Sequence, residues 1–63
     1  MSNPYIIFVG HSADNMQPHK SAPDQETAIN IAMELRDIYP CVEATFMPED
    51  DLDTNDIVYS YYK

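Results

Sequence analysis

Apolar positions fall into three segments that polar, proline-containing stretches separate. Residues 4–10, PYIIFVG, form a continuous apolar run that ends at the chain's one glycine. Such a run of β-branched and aromatic residues predicts a strand buried on both faces. Residues 11–24, which begin HSADNMQPHKSAP, contain two prolines and no regular alternation. They predict a long loop, and a loop of this length in a small domain is either functional or mobile.

A helix is the most strongly indicated element. Asp24 is suited to cap its N-terminus, and Glu26 places negative charge in the first turn. Ser21 is an alternative start. Apolar residues then recur at the spacing of one buried helical face: Ala28, Ile31, Ala32, Leu35 and Ile38. Pro40 ends the helix at or before Tyr39.

Two strands follow the helix. Val42, Ala44 and Phe46 alternate with polar or exposed positions, and a second run extends from 57 to 62. Strict alternation in that second run places Ile57, Tyr59 and Tyr61 on one face. The fold class predicted for residues 1–63 is a single α+β domain of order β-α-β-β. One helix packs on a three-stranded sheet, through a right-handed crossover, and the last two strands form a C-terminal hairpin.

One helix covers only one face of such a sheet, yet the first strand is apolar on both faces. The second face therefore needs cover, and we expect a homodimer or a docked partner protein there. A chain of 63 residues has a marginal core, which favours the same expectation.

Charge narrows the classes of function. The formal net charge is −8, and Lys20, Arg36 and Lys63 are the basic residues. This balance argues against direct binding of nucleic acid and of anionic membranes. Cys41 is the single cysteine, so no intrachain disulfide is expected, and the first residues lack a signal-peptide pattern. We predict a folded protein of the cytoplasm, or of the host cytoplasm if a phage encodes it.

The acidic stretch 47–63, MPEDDLDTNDIVYSYYK, comes nearest to a named motif. Asp51, Asp53 and Asn55 fit the first three ligand positions of an EF-hand calcium loop. The glycine position holds Asp56 and the bidentate glutamate position holds Tyr62, so we favour a polar hairpin loop whose Asp and Asn side chains cap their own turns.

Other chemistries have weaker support. His11, His19 and Cys41 do not have metal-ligand spacing. The segment HSAD holds His11, Ser12 and Asp14 too close in one loop to build a catalytic triad. We therefore predict no enzyme activity, no cofactor and no metal, and we interpret Cys41 as a small semi-buried apolar residue.

The remaining candidates are surface residues. An acidic surface that docks on a basic, nucleic-acid-binding groove of another protein is the favoured interpretation, although the same charges also serve solubility. The tyrosines of the last strand are candidate aromatic anchors. The predicted partner-binding residues are Glu26, Glu34, Asp37, Glu49, Asp50, Asp51, Asp53, Asp56, Tyr59, Tyr61 and Tyr62.

In size, acidity and single-domain simplicity the chain resembles small proteins that phages and mobile elements encode to block host enzymes or defence systems. The ending MPEDDLDTNDIVYS is similar to C-terminal hairpins of short proteins of that kind. The resemblance implies an inhibitor, either a nucleic-acid mimic, a protein that occludes a surface, or a sponge for nucleotide signals. Two alternatives stay open: a dimeric structural or regulatory module that uses the open sheet face and the tyrosines, and a small-ligand or metal binder at residues 11–24.

Overall fold

The computed structural model describes residues 3–48, 50–51 and 53–63, which form one helix and four strands. The elements are β1 (Tyr5–Gly10), β2 (Met16–Ala22), α1 (Gln25–Leu35), β3 (Cys41–Phe46) and β4 (Asp56–Tyr62). The strands form one sheet in the order β2-β1-β3-β4, and every neighbouring pair is antiparallel. The predicted α+β class with a helix on the sheet is confirmed. The three-stranded β-α-β-β arrangement is wrong.

The extra strand, β2, lies in the segment predicted to be a loop. It pairs with β1 as an edge strand, and Ala22 is its one fully buried residue. Most of its other side chains are exposed, so no alternation of apolar and polar residues marks it in the sequence. Gly10 allows the hairpin to close, because a Cβ there would lie 2.2 Å from the backbone oxygen of Asn15.

The position of β2 also changes the topology. The helix connects β2 to β3, and β3 lies beside β1 in the antiparallel direction. Since β2 and β3 are each antiparallel to β1, they run parallel to one another, and the helix crosses over β1 to join them. The crossover thus joins β2 to β3, whereas the sequence predicted one from the first strand to the strand after the helix. The C-terminal hairpin of β3 and β4 is confirmed.

The helix begins where the sequence predicts. Asp24 is its N-cap, and its carboxylate accepts a hydrogen bond of 2.7 Å from the backbone N–H of Thr27. The helix ends at Leu35, after which the N–H groups of Ile38 and Tyr39 both bond to the Leu35 carbonyl at 2.9 Å. Because the chain has left the helix by then, Ile38 is 71% exposed. The prediction that Ile38 belongs to the buried face is wrong.

The core lies between the helix and one face of the sheet. Ile7 and Val42, on the two central strands, are its largest fully buried side chains. The rest of the buried cluster consists of small or branched residues on the strands and the helix: Val9, Ala22, Ala28, Ala32, Leu35 and Ala44. The alanines let the helix approach the sheet closely, and the half-buried rings of Tyr5, Tyr39, Tyr59 and Tyr61 surround the cluster.

A bulge divides β4. The register passes from Ala44↔Tyr59 to Thr45↔Ile57, so Val58 has no pairing partner of its own. Val58 packs against the core, whereas Ile57 lies opposite Thr45 and is 57% exposed. The predicted common face of Ile57 and Tyr59 is therefore wrong, since strict alternation assumed an unbroken ladder.

The face of the sheet opposite the helix has no secondary-structure element over it in the described part of the chain. Strand pairing places alternate residues of the central strands there, among them Ile6, Phe8, Glu43 and Thr45. Met16, Ile57 and Tyr62 join them from the flanking strands through their pairing partners. This second face, called the open face below, is the one that the helix leaves uncovered, and the partner or second copy expected there stays a prediction.

Candidate protein-binding surfaces

The two ends of the sheet differ in charge. At one end, Tyr5 pairs with Ala22 and with Phe46, and Phe46 pairs with Asp56. The helix starts three residues after Ala22, so its first turn lies at this end, as does the 47–55 loop. That end therefore holds Glu26, Asp50, Asp51, Asp53 and Asp56, all of which are exposed. We call this set the acidic end.

Glu34 and Asp37 lie elsewhere. Glu34 is eight residues beyond Glu26, which is about 12 Å along a helix axis. Both residues are exposed near the end of the helix, close to where Gly10 pairs with Cys41. Of the helix acids that the sequence grouped with the loop, Glu26 thus lies at the acidic end, whereas Glu34 and Asp37 lie at the opposite end of the molecule. Glu49, another predicted partner-binding residue, lies outside the described residues.

Asp51 organises the acidic loop. Its carboxylate accepts hydrogen bonds from the Asp53 backbone N–H at 3.2 Å and from the Thr54 hydroxyl. These donors, the Thr54 hydroxyl first, hold the pKa of Asp51 below its ordinary value. At the start of the helix, the bond from the Thr27 backbone N–H likewise lowers the pKa of Asp24. Both Asp51 oxygens are thus engaged within the loop, as in a side chain that caps its own turn.

Tyr59 and Tyr61, two of the three predicted tyrosine anchors, face the helix. Arg36, the helix C-cap, donates a hydrogen bond of 3.2 Å to the Tyr59 hydroxyl, and its guanidinium lies 5.7 Å from the centre of the Tyr61 ring. The bond to Tyr59 also raises the pKa of Arg36. These rings therefore join β4 to the end of the helix, and both are only partly exposed.

Tyr62 differs from them because it lies on the open face. Its hydroxyl donates a hydrogen bond to the Glu43 carboxylate, and this bond raises the pKa of Tyr62. The ring is 49% exposed. Tyr62 is thus the predicted anchor that the structure places on an uncovered surface.

Basic side chains gather at the end opposite the acidic one. Arg36, Lys63 and His11 line one groove of about 340 Å³ there, and the acidic Asp37 lines it as well, together with Ile38, Tyr39, Pro40 and Tyr61. The Lys63 N–H bonds to the Pro40 carbonyl at 2.9 Å, which fixes the last strand beside the helix exit. The third basic residue, Lys20, is exposed on β2. Because the exposed acids Glu34 and Asp37 also lie at this end, charges of both signs are mixed there, whereas the acidic end is strongly negative.

The open face contains a groove of about 210 Å³. Its apolar walls come from Phe8, Met16 and Met47, and residues of the two hairpin loops, Ala13 and Asn55, also line it. The polar groups are Glu43 and Thr45, two residues apart on the same face of β3. Thr45 is 2% exposed, and its hydroxyl oxygen has no hydrogen-bond partner within the described chain.

Sequence reasoning missed Glu43 and Thr45. The signal was the alternation of β3, in which Val42, Ala44 and Phe46 occupy one face, so that Glu43 and Thr45 must share the other. The Glu43 carboxylate therefore lies on the same face as apolar side chains of β1, and that face is uncovered. That conclusion required knowing that β3 is a central strand.

The predicted small-ligand or metal region, residues 11–24, contains strand β2 and is not a long loop. His11 and His19 line a groove of about 280 Å³ between β1, β2 and Tyr39, and the His19 ring lies 5.6 Å from that of Tyr39. Over residues 3–48, 50–51 and 53–63, no three His, Cys, Asp or Glu side chains are grouped to hold a metal ion. Cys41 is buried and reduced.

Comparisons with protein-family models, curated proteins and solved structures give no match to this chain. The one helix of the described residues is neither long nor apolar enough to cross a membrane.

Proposed function

We propose that this protein is a non-enzymatic binding protein whose acidic end docks on a basic, nucleic-acid-binding surface of another protein and blocks it. The observation that carries the proposal is the gradient of charge. Glu26, Asp50, Asp51, Asp53 and Asp56 are exposed at one end of the sheet, while at the opposite end Arg36 and Lys63 stand beside Glu34 and Asp37 and offset their charge. A net charge of −8 arranged in this way orients the molecule in the field of a cationic surface before contact.

The described residues of the acidic loop are also held by hydrogen bonds. The loop is fixed to the rest of the fold by the hydrogen bond of 2.7 Å from the Met47 N–H to the Pro4 carbonyl. Within it, the turn formed around Asp51 holds the flanking backbone. Carboxylates presented on an ordered turn lose less conformational entropy on binding than the same charges on a free segment. This order supports recognition beyond simple solubility.

A capture experiment tests the proposal. The tagged protein is incubated with a cell lysate at low and at high salt, and the captured proteins are challenged with duplex DNA and with RNA. We expect the captured partner to elute with nucleic acid and with salt. A partner that remains bound in both conditions would contradict the proposed mimicry.

Two triple variants with the same change of charge localise the contact. The test variant is Asp50→Asn, Asp53→Asn, Asp56→Asn, which leaves the turn-forming Asp51 intact. The control variant, at other exposed positions, is Asp14→Asn, Glu34→Gln, Asp37→Asn. We expect roughly tenfold weaker binding and a flatter salt dependence for the test variant, and about unchanged affinity for the control. Equal losses in both would show that only net charge matters and would refute a localised surface.

A further inference from the structure

The groove on the open face combines three properties that together specify a ligand. It is apolar along Phe8, Met16 and Met47, it holds one carboxylate, and it contains a buried hydroxyl oxygen without a partner. An unsatisfied buried polar group weakens the free protein, so its presence calls for an explanation. A ligand that neutralises Glu43, displaces the side chains that cover this hydroxyl and then donates a hydrogen bond to Thr45 supplies one.

The groove is small for a small-molecule site. The groove measures about 210 Å³, whereas pockets that bury drug-sized ligands or cofactors typically measure about 300–1,000 Å³. A single long side chain fits such a volume better than a nucleotide does. An aliphatic stem with a cationic head matches both the apolar walls and the carboxylate.

We propose that the open face binds one lysine or arginine side chain of the basic partner, with its stem along Phe8 and Met47 and its head between Glu43 and Thr45. This inference rests on the proposed function, because it names a second contact with the same partner. Tyr62 orients the acceptor: its hydroxyl occupies one oxygen of the Glu43 carboxylate and leaves the other for the incoming cation.

Charge favours this occupant over a second copy of the chain. A two-fold dimer through the open face would bring two Glu43 carboxylates onto one apolar surface, and each copy carries a net charge of −8. A cationic partner meets the opposite sign at the same position. The homodimer expected from the sequence is therefore an alternative that the test must distinguish.

The test uses the isotope-labelled full chain and two small probes, n-butylguanidinium chloride and the uncharged n-butylurea of nearly the same shape. NMR titration should show saturable shifts at Phe8, Thr45 and Met47 with butylguanidinium, with a Kd on the order of millimolar. Butylurea should bind at least tenfold more weakly, since it carries no positive charge to pair with the Glu43 carboxylate. Shifts spread over the acidic end without saturation would mean generic counter-ion binding and would overturn the proposal.

Two variants separate the polar groups. Glu43→Gln keeps the shape and an acceptor for Tyr62, so it should lose about tenfold in affinity for butylguanidinium and leave butylurea unaffected. Thr45→Val should weaken butylguanidinium about 2- to 10-fold while raising the melting temperature of the free protein, since it removes the unsatisfied hydroxyl. An unchanged affinity of Glu43→Gln for butylguanidinium would overturn the proposal. A dimer detected by sedimentation equilibrium, with Phe8 shielded from the probe, would also overturn it.

The two proposals fail separately. If the groove does not bind butylguanidinium but capture remains sensitive to the acidic-end variant, only the groove assignment is wrong. In the opposite case, butylguanidinium binds the groove as expected both in wild type and in the Asp50, Asp53, Asp56 triple variant, but the triple variant captures the partner as well as wild type does. Only the acidic-end contact is then wrong.

Discussion

Replacing a buried isoleucine and an exposed isoleucine by valine tests where the fold places its core. Ile7 is fully buried on the central strand β1, whereas Ile38 is 71% exposed just beyond the helix. Both substitutions delete one methylene and keep a β-branched side chain. Ile7→Val and Ile38→Val therefore differ mainly in how deeply the lost methylene is buried. Ile38 is also the residue that helical periodicity placed in the core.

The expected magnitudes differ by several-fold. Ile→Val at a buried site costs about 1 kcal/mol through lost transfer energy and a small cavity. For a domain of this size that lowers the melting temperature by about 4–8 °C. Less than a third of the Ile38 surface is buried, so at about 0.8 kcal/mol per buried methylene its loss is about 0.2 kcal/mol, or roughly 1 °C.

Thermal and urea unfolding, followed by far-ultraviolet circular dichroism, measure both effects. The whole domain is expected to have a stability of only about 3–9 kcal/mol, from the usual range per residue, so a loss of 1 kcal/mol is readily resolved. Ile38→Val unfolding at a temperature as low as Ile7→Val would refute the reasoning. It would mean that the helix continues past Leu35 and buries Ile38.

Two further changes test local features. Gly10→Ala brings a Cβ within 2.2 Å of the Asn15 backbone oxygen. It should therefore destabilise the protein by about 1–3 kcal/mol in a urea titration. A variant as stable as wild type would show that the turn geometry is wrong. Asp51→Asn should unfold at a lower temperature than wild type near pH 7. Because the folded pKa of Asp51 lies below its ordinary value, its contribution is complete above that value and is lost as pH falls through the folded pKa. The gap between the two melting curves should therefore narrow as pH falls below the ordinary aspartate pKa of 3.8, and a gap independent of pH would contradict a role for the charged carboxylate.

The helix and the C-terminal hairpin were predictable because each has a local signal. Asp24 caps a segment of regular apolar spacing, and Val42, Ala44 and Phe46 alternate as a strand does. The strand β2 has no such signal, since Ala22 is its one fully buried residue and its pairing with β1 is a tertiary effect. An edge strand with mostly exposed side chains leaves no period of two in the sequence.

The candidate sites divide in the same way. The acidic loop was visible in the sequence as a run of charges, and the turn-capping role of Asp51 follows from residue type. The separation of Glu34 from that loop depends on which end of the sheet the helix starts from, which in turn depends on β2. The groove around Thr45 needs the order of the strands and could not be read from the chain alone.

The irregular edges of the sheet restrict how a partner can bind. Pro18 lies in the edge strand β2 and has no N–H to donate, and the register of β2 against β1 shifts beside it. The other edge strand, β4, carries the bulge at Val58 and begins with the charged Asp56. Such interruptions prevent an added strand from forming a continuous ladder. We therefore expect the proposed partner to contact the end or the open face of the sheet through side chains, with specificity from charge and shape rather than from shared backbone hydrogen bonds.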